Sequence, residues 1–475
     1  MNAPIVRLFA VFMLLFALLV AWTSRWTVFQ QEELQENANN KRGLLEELRI
    51  PRGPIRASDG SLIARSVERR DGTYERRYPQ GRLFGHPVGY SFTTLGRTGL
   101  EREYNDDLLG KEDAVTTVFD QILGKDQVGN ELRTSLDAKA QQAAIQALGG
   151  RRGAVVALEP QTGKVRVMAS QPEFDPNELR EESSLAAIPD GGAVNRATQG
   201  QYPPGSTFKV VTTVAAIDTG EYTKDSRISG KSPKVISGTP LANSGDAQFG
   251  DITLTEALTK SVNTVFGTIG EELGGDTMQE YMERFGFYAR VEADLPARER
   301  YSSGVRVPGS DGFVDVDDRR VDVGRVAIGQ GGLLATPLQM AQVAAAVAND
   351  GELMKPQLGD RIVDREGRTV EDIEPESLGR VMKASTAREV GDMMAGVVRE
   401  GTGTAAALQG VSVAGKTGTA ERNVQTDLNQ PWFIAFAPRE NPKIAIAATI
   451  EESQGGQGGT VAAPIAKAVL QELLR

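Results

Sequence analysis

Ser206 and Lys209 stand three positions apart in Ser206-Thr207-Phe208-Lys209, directly after Tyr202-Pro203-Pro204-Gly205. The apolar residues Val210, Val211, Val214, Ala215 and Ile217 predict a helix running to Gly220, with the serine at its start and the lysine on the same face. Free backbone N–H groups and the helix dipole favour negative charge there, which suits an alkoxide or an oxyanion beside it. A serine hydroxyl is a weak nucleophile until a base takes its proton. A lysine can be that base when burial or a neighbouring cation lowers its pKa. The chain has one histidine, His86, and no cysteine, so a Ser-His-Asp relay would depend on a residue 120 positions away, and thiolate nucleophiles and thiolate metal sites are absent. A lysine-based relay is the economical account, which leaves His86, beside Pro87, as a solvated or packing residue.

Two further stretches carry suitable groups. Thr253-Leu254-Thr255-Glu256 has the form of a capping box opening a helix, and Ser261-Val262-Asn263 lies towards its end, where a hydroxyl and an amide could relay a proton and hold a substrate amide. In Val413-Ala414-Gly415-Lys416-Thr417-Gly418-Thr419, Lys416 supplies positive charge, Thr417 and Thr419 supply hydroxyls for a carboxylate, and Gly418 lets a ligand backbone approach. Taken singly each pattern has a plainer reading: a serine N-cap with an exposed lysine, a surface turn, or a nucleotide-binding loop. Residues 410–417 do satisfy the P-loop pattern, and Ile444 to Glu451 resembles its acidic partner strand. A P-loop needs a strand before it and a helix straight after the threonine. Here Thr404 to Gln409 is alanine-rich, and Gly418, Thr419, Arg422 and Asn423 start a helix poorly.

The elements that must position these groups are legible in outline. A helix is expected from Asp137 to Gly149-Gly150. A hairpin follows, with Gly153 to Glu159 and Lys164 to Ala169 around a Pro160-Gly163 turn, and strands recur at Trp432 to Ala437 and Lys443 to Ile450. A last helix opens at Pro464 after the glycine-rich loop Gly455 to Gly459. Strands at both ends around a helical middle give an α+β domain whose antiparallel sheet is completed by the C-terminus. Before it, Ile55 to Ser66 reads as two short strands around Ser58-Asp59-Gly60, inside a small mixed module reaching about Asp126.

At 475 residues the chain is long enough for two or three units. A net charge of −10 and the lack of a basic stripe argue against nucleic acid as main partner. Leu8 to Trp22 is unbroken in apolar or small residues and reads as an uncleaved membrane anchor, since Ala21-Trp22-Thr23 is a poor signal-peptidase site. Arg7 on one flank and Arg25, Lys41 and Arg42 on the other leave its orientation undecided. Residues Gln30 to Glu47 are expected to form an exposed helical stalk.

The ordered trio Ser-x-x-Lys, Ser-x-Asn and Lys-Thr-Gly resembles the signature of penicillin-binding proteins and serine β-lactamases. The similarity extends to Arg52-Gly53, Asp59-Gly60, Gly99-Leu100-Glu101 with Tyr104, Thr134-Ser135-Leu136-Asp137, Asn195-Arg196-Ala197, Gly329-Gln330-Gly331, Ala335-Thr336-Pro337 and Glu400-Gly401-Thr402-Gly403-Thr404. The chain thus resembles the class B, monofunctional penicillin-binding proteins, and its compact N-terminal module resembles the short actinobacterial type. It departs from many relatives in lacking a histidine ahead of the tryptophan in Asn429-Gln430-Pro431-Trp432.

The resemblance implies a D,D-transpeptidase that cross-links stem peptides through a Ser206 acyl-enzyme formed at D-Ala-D-Ala, and that β-lactams inhibit. Lys209 would be the base, and Ser261 and Asn263 would complete the relay. Lys416 would support Ser261, Thr417, Gly418 and Thr419 would bind the substrate, and the backbone N–H groups of Ser206 and Thr419 would form the oxyanion hole. No cofactor or metal is implied. Residues 1–25 would be a cytoplasmic tip and transmembrane anchor, 26–130 a stalk and pedestal, and 131–475 the catalytic domain. That domain would lie on the outer side of the membrane, where lipid-linked precursor and a SEDS-type glycosyltransferase would be its partners. A D,D-carboxypeptidase, a β-lactamase and a non-catalytic wall-synthesis scaffold are the competing readings.

Overall fold

The computed structural model describes residues 2–24, 46–93, 95–111, 127–179, 188, 191–423 and 426–475. Most of the expected stalk, residues 30–45, lies outside them. Helix α1 (Asn2–Ser24) is apolar all round and exposed, and its stretch Ala3–Val20 has mean hydropathy 2.5. At about 1.5 Å per residue it is long enough for a bilayer core of roughly 30 Å.

The N-terminal module is built on four short strands, β1 (Ile55–Arg56), β2 (Leu62–Glu68), β3 (Tyr74–Arg77) and β4 (Glu131–Thr134). As expected, β1 and β2 flank the Ser58-Asp59-Gly60 turn and pair antiparallel. Gly53 leads into them because a Cβ there would lie 1.8 Å from the Asn130 carbonyl oxygen. The residues behind the sheet are charged and interlocked. Glu101 is fully buried and accepts from Arg52 Nε and Arg76 Nε, each at 2.6 Å, and from the Tyr78 hydroxyl at 3.2 Å. Next to this knot, the Tyr104 hydroxyl donates to Asp294 Oδ2 at 2.8 Å, and Asp294 also accepts from the Leu358 and Gly359 amides.

Asp137 caps helix α2 (Ala138–Leu148) by accepting from the Lys139 and Ala140 amides, and Gly149 ends it in the left-handed conformation. Strands β5 (Gly153–Leu158) and β6 (Val165–Gln171) form the expected hairpin. The middle of the chain supplies helices α3 (Lys209–Thr219), α4 (Leu254–Lys260), α5 (Asn263–Arg284) and α6 (Pro337–Ala348). Strands β7 (Gly359–Val363) and β8 (Thr369–Asp372) and helix α7 (Ala384–Glu400) follow. The chain closes with β9 (Ala414–Asn423), β10 (Leu428–Ala437), β11 (Ile444–Ile450) and helix α8 (Ala463–Leu473).

Two sheets result. The larger is antiparallel in the order β9-β10-β11-β5-β6. Along β10, Trp432, Ile434 and Phe436 pack into the core shared with the helical region, while Phe433, Ala435 and Ala437 face the core shared with α2 and α8. This alternation is why β5 and β11 read as unbroken apolar runs: both faces are covered. The second sheet runs β8-β7-β4-β1-β2-β3, so residues from beyond position 358 complete the module that begins at position 55.

Candidate active site

The three motifs converge. Ser206 lies in a 3₁₀ turn, Gly205–Phe208, and Lys209 is the first residue of α3. Three residues per turn stack side chains i and i+3 more closely than an α-helix does, so this tight start brings Lys209 over Ser206. The turn is held from two sides. The Gly205 amide donates to the Gly329 carbonyl at 2.9 Å. On the other side, a Cβ on Gly205 would lie 3.0 Å from the carbonyl carbon of Thr419 in β9, and a Cβ on Gly418 would lie 2.7 Å from Pro204 O. Glycine at 205 and 418 therefore lets the nucleophile's turn and the edge strand touch backbone to backbone.

Thr253 and Glu256 form the expected reciprocal capping box at the start of α4. The structure departs from expectation at the other end: α4 stops at Lys260, Ser261 takes the left-handed conformation with φ 58°, and Asn263 opens a separate helix, α5. The break swings both the Ser261 carbonyl and the Asn263 side chain towards Lys209. Lys209 Nζ donates to Ser261 O at 2.8 Å and to Asn263 Oδ1 at 2.7 Å, and Ser261 Oγ is 3.4 Å away. The Asn263 amide orientation is consistent, since its Nδ2 donates to Ala242 O.

Lys416 comes from β9 on the opposite side. Its Nζ donates to Ser261 Oγ at 2.8 Å and to Thr417 O at 3.0 Å. Both lysines are fully buried. Burial, and secondly the charge of Lys416, hold the Lys209 amine well below the ordinary lysine range, while burial brings Lys416 down to about 7. Lys209 is thus the amine that gives up its proton first. A neutral amine has two N–H bonds and one lone pair. With both N–H bonds on Ser261 O and Asn263 Oδ1, the lone pair is left to accept a hydroxyl proton.

Thr417 and Thr419 lie beyond Lys416 on β9. Thr419 Oγ1 accepts from the Gly458 amide at 3.1 Å. Thr417 Oγ1 is 2.5 Å from Thr402 Oγ1. Thr402 and Gly458 are the neighbours that sequence reasoning passed over: one stood in the Gly-Thr-Gly-Thr stretch and the other in the glycine-rich loop, neither with a stated role. The stretch after Thr417 is strand, paired residue by residue with β10, where a nucleotide-binding loop would require a helix. His86 is a packing residue. It is buried, with Nε2 3.0 Å from Pro172 O and its ring edge-on to Phe174, and burial lowers its pKa to about 4.

Comparison with known proteins agrees with this geometry. Residues 153–471 match the penicillin binding protein transpeptidase domain, and residues 52–132 match the penicillin binding protein A dimerisation domain. The peptidoglycan D,D-transpeptidase PbpA of Mycolicibacterium smegmatis is 34% identical over 504 residues, covering 100% of this chain and 99% of that one. Penicillin-binding protein A of Mycobacterium tuberculosis, solved as a ceftriaxone acyl-enzyme, superposes with a TM-score of 0.81 at 30% identity, covering 91% of this chain and 100% of that one. The D,D-transpeptidase domain of an Eggerthella lenta peptidoglycan glycosyltransferase gives 0.77 at 36% identity, covering 90% of this chain and 98% of that one. With the motif trio gathered at one point and two thirds of its length matched, this chain belongs to the penicillin-binding protein transpeptidase family.

Proposed function

We propose that Ser206 is the acylated residue of this peptidoglycan D,D-transpeptidase and that Lys209 is its base. The chain is a serine-type acyltransferase of wall synthesis, open to β-lactams. In the first half-reaction the Ser206 Oγ proton passes to Lys209 Nζ as Oγ bonds to the penultimate D-Ala carbonyl carbon. Charge on the carbonyl oxygen is met by the Ser206 and Thr419 backbone N–H groups. The C–N bond then breaks, and the departing D-alanine takes a proton relayed through Ser261, which Lys416 supports. An amine of a neighbouring stem peptide attacks the ester in the second half, and the proton returns to Ser206 by the same path. Thr417 and Thr419 hold the terminal carboxylate, with Gly418 leaving room for the peptide.

The observation that carries this reading is the pair of hydrogen bonds from buried Lys209 Nζ to Ser261 O and Asn263 Oδ1. Intact-protein mass spectrometry after β-lactam exposure tests it. We expect one covalent adduct, absent in Ser206→Ala; an adduct of equal yield in that variant removes Ser206 from its role. Product ratios with and without an added amine acceptor separate transfer from hydrolysis.

We further propose that residues 1–25 form the cytoplasmic tip and anchor, 26–130 the stalk and pedestal, and 131–475 the catalytic domain, held on the outer membrane face. A lipid-linked substrate assembled on that face accounts for an anchor. The partner polymerase in this reading is a SEDS-type glycosyltransferase.

A further inference from the structure

The N-terminal module encloses a cavity of about 270 Å³ whose walls include Arg52, Arg69, Arg76, Arg97, Glu47 and Glu75. Its charges do not balance. Four guanidinium groups meet three carboxylates when Glu101, buried behind Arg52 and Arg76, is included. Each carboxylate is already engaged: Glu101 with Arg52 and Arg76, Glu75 with Arg69 and Arg77, and Glu47 with Arg97 and Lys111. Arg52 accordingly feels burial first and then two further cations, Arg76 and Arg97, against the single anion Glu101.

Arg76 carries the decisive detail. Its side chain is only 4% exposed. Nε donates to Glu101, and Nη1 donates to Arg52 O at 3.1 Å and Gly53 O at 2.8 Å. Nη2 is buried without an acceptor. An arginine nitrogen left so costs a desolvation penalty that native folds avoid, and a buried excess of positive charge adds to it. Water could accept from Nη2 but would not offset the charge. A cavity of this size also has room for more than one water.

We infer that this cavity is an oxyanion site for a phosphate group. A planar carboxylate is satisfied by one guanidinium fork, and the rim carboxylates Glu47 and Glu75 already show that arrangement. Guanidinium groups converging from four separate positions, with the Ser91 and Thr93 hydroxyls at the same wall, suit a tetrahedral group with more oxygens and more charge. The phosphate could belong to a lipid headgroup or to a soluble phosphate ester.

Calorimetric titration of the detergent-solubilised full chain with sodium pyrophosphate at constant ionic strength tests the site. Saturable one-site binding is expected. It should weaken about tenfold or more in Arg69→Gln/Arg97→Gln, whose side chains are not deeply buried, through loss of charge-assisted hydrogen bonds. The rate of Ser206 acylation by penicillin should be unchanged, which also reports that the variant is folded. In lipid nanodiscs, loss of pyrophosphate binding when phosphatidylglycerol replaces phosphatidylcholine marks a headgroup as occupant, and binding that persists marks a soluble ester. No saturable binding, an unaltered affinity in the double variant, or binding of an oligoglutamate peptide where pyrophosphate fails overturns the proposal.

Discussion

Two buried lysines facing one serine set the chemistry at the scale of single residues. Their proximity gives each a different value, and the difference defines a direction for the proton. Because the charge of Lys416 depresses Lys209, removing that charge must raise it. The acid limb of the acylation rate against pH should therefore move to higher pH in Lys416→Met. The fall of the wild-type rate on the alkaline side, set near pH 7 by deprotonation of Lys416, should disappear. The maximal rate should drop on the order of a hundredfold, since Ser261 loses its partner. Stopped-flow acylation with a fluorescent penicillin from pH 5 to 9 reads all three, and an acid limb that stays in place contradicts the coupling.

The site at the scale of elements is three backbone fragments pressed together, and glycine is what permits the approach. Gly329 illustrates the demand: its φ is +80°, and a Cβ there would lie 1.9 Å from Gly205 O. Gly329→Ala should destabilise the fold by about 2–4 kcal/mol in thermal melts and slow acylation even where the variant is fully folded, because the turn bearing Ser206 must shift. A variant with wild-type rate and melting temperature would show that the turn is not held there. Much of this scale was legible beforehand. Asp137 and Gly149 bracket α2, the capping box opens α4, and the two terminal hairpins announce themselves by turn chemistry and apolar runs. Two features were not. Ser261 breaks the helix in a conformation that serine seldom adopts, so local propensity pointed to continuation; the contacts with Lys209 and Lys416 are what the break serves. The six-stranded sheet escaped because short strands carry no mark of partners some 230–300 positions away.

Its two sheets and the helical region behave as one molecule because charged and aromatic groups stitch the N-terminal module to the rest. Through its ring nitrogen, His86 bonds to Pro172, just beyond β6, and burial keeps the imidazole neutral. Its folded pKa of about 4 lies below the ordinary 6.5, so an unfolded chain takes up a proton that the folded chain refuses between those values. Stability should therefore decline as pH falls from 6.5 to about 4, by up to roughly 3 kcal/mol from this residue. His86→Gln should show a shallower decline, read as melting temperature against pH. Equal slopes would remove His86 from the account.

The pairing of β4 with β7 also has a bearing on how the protein is made. Residues 55–68 leave the ribosome early, yet the sheet they begin gains its fourth partner only after residue 363 has been synthesised. For most of translation the pedestal is an open-edged fragment that needs shielding, and the catalytic region is nearly complete before its own foundation can close.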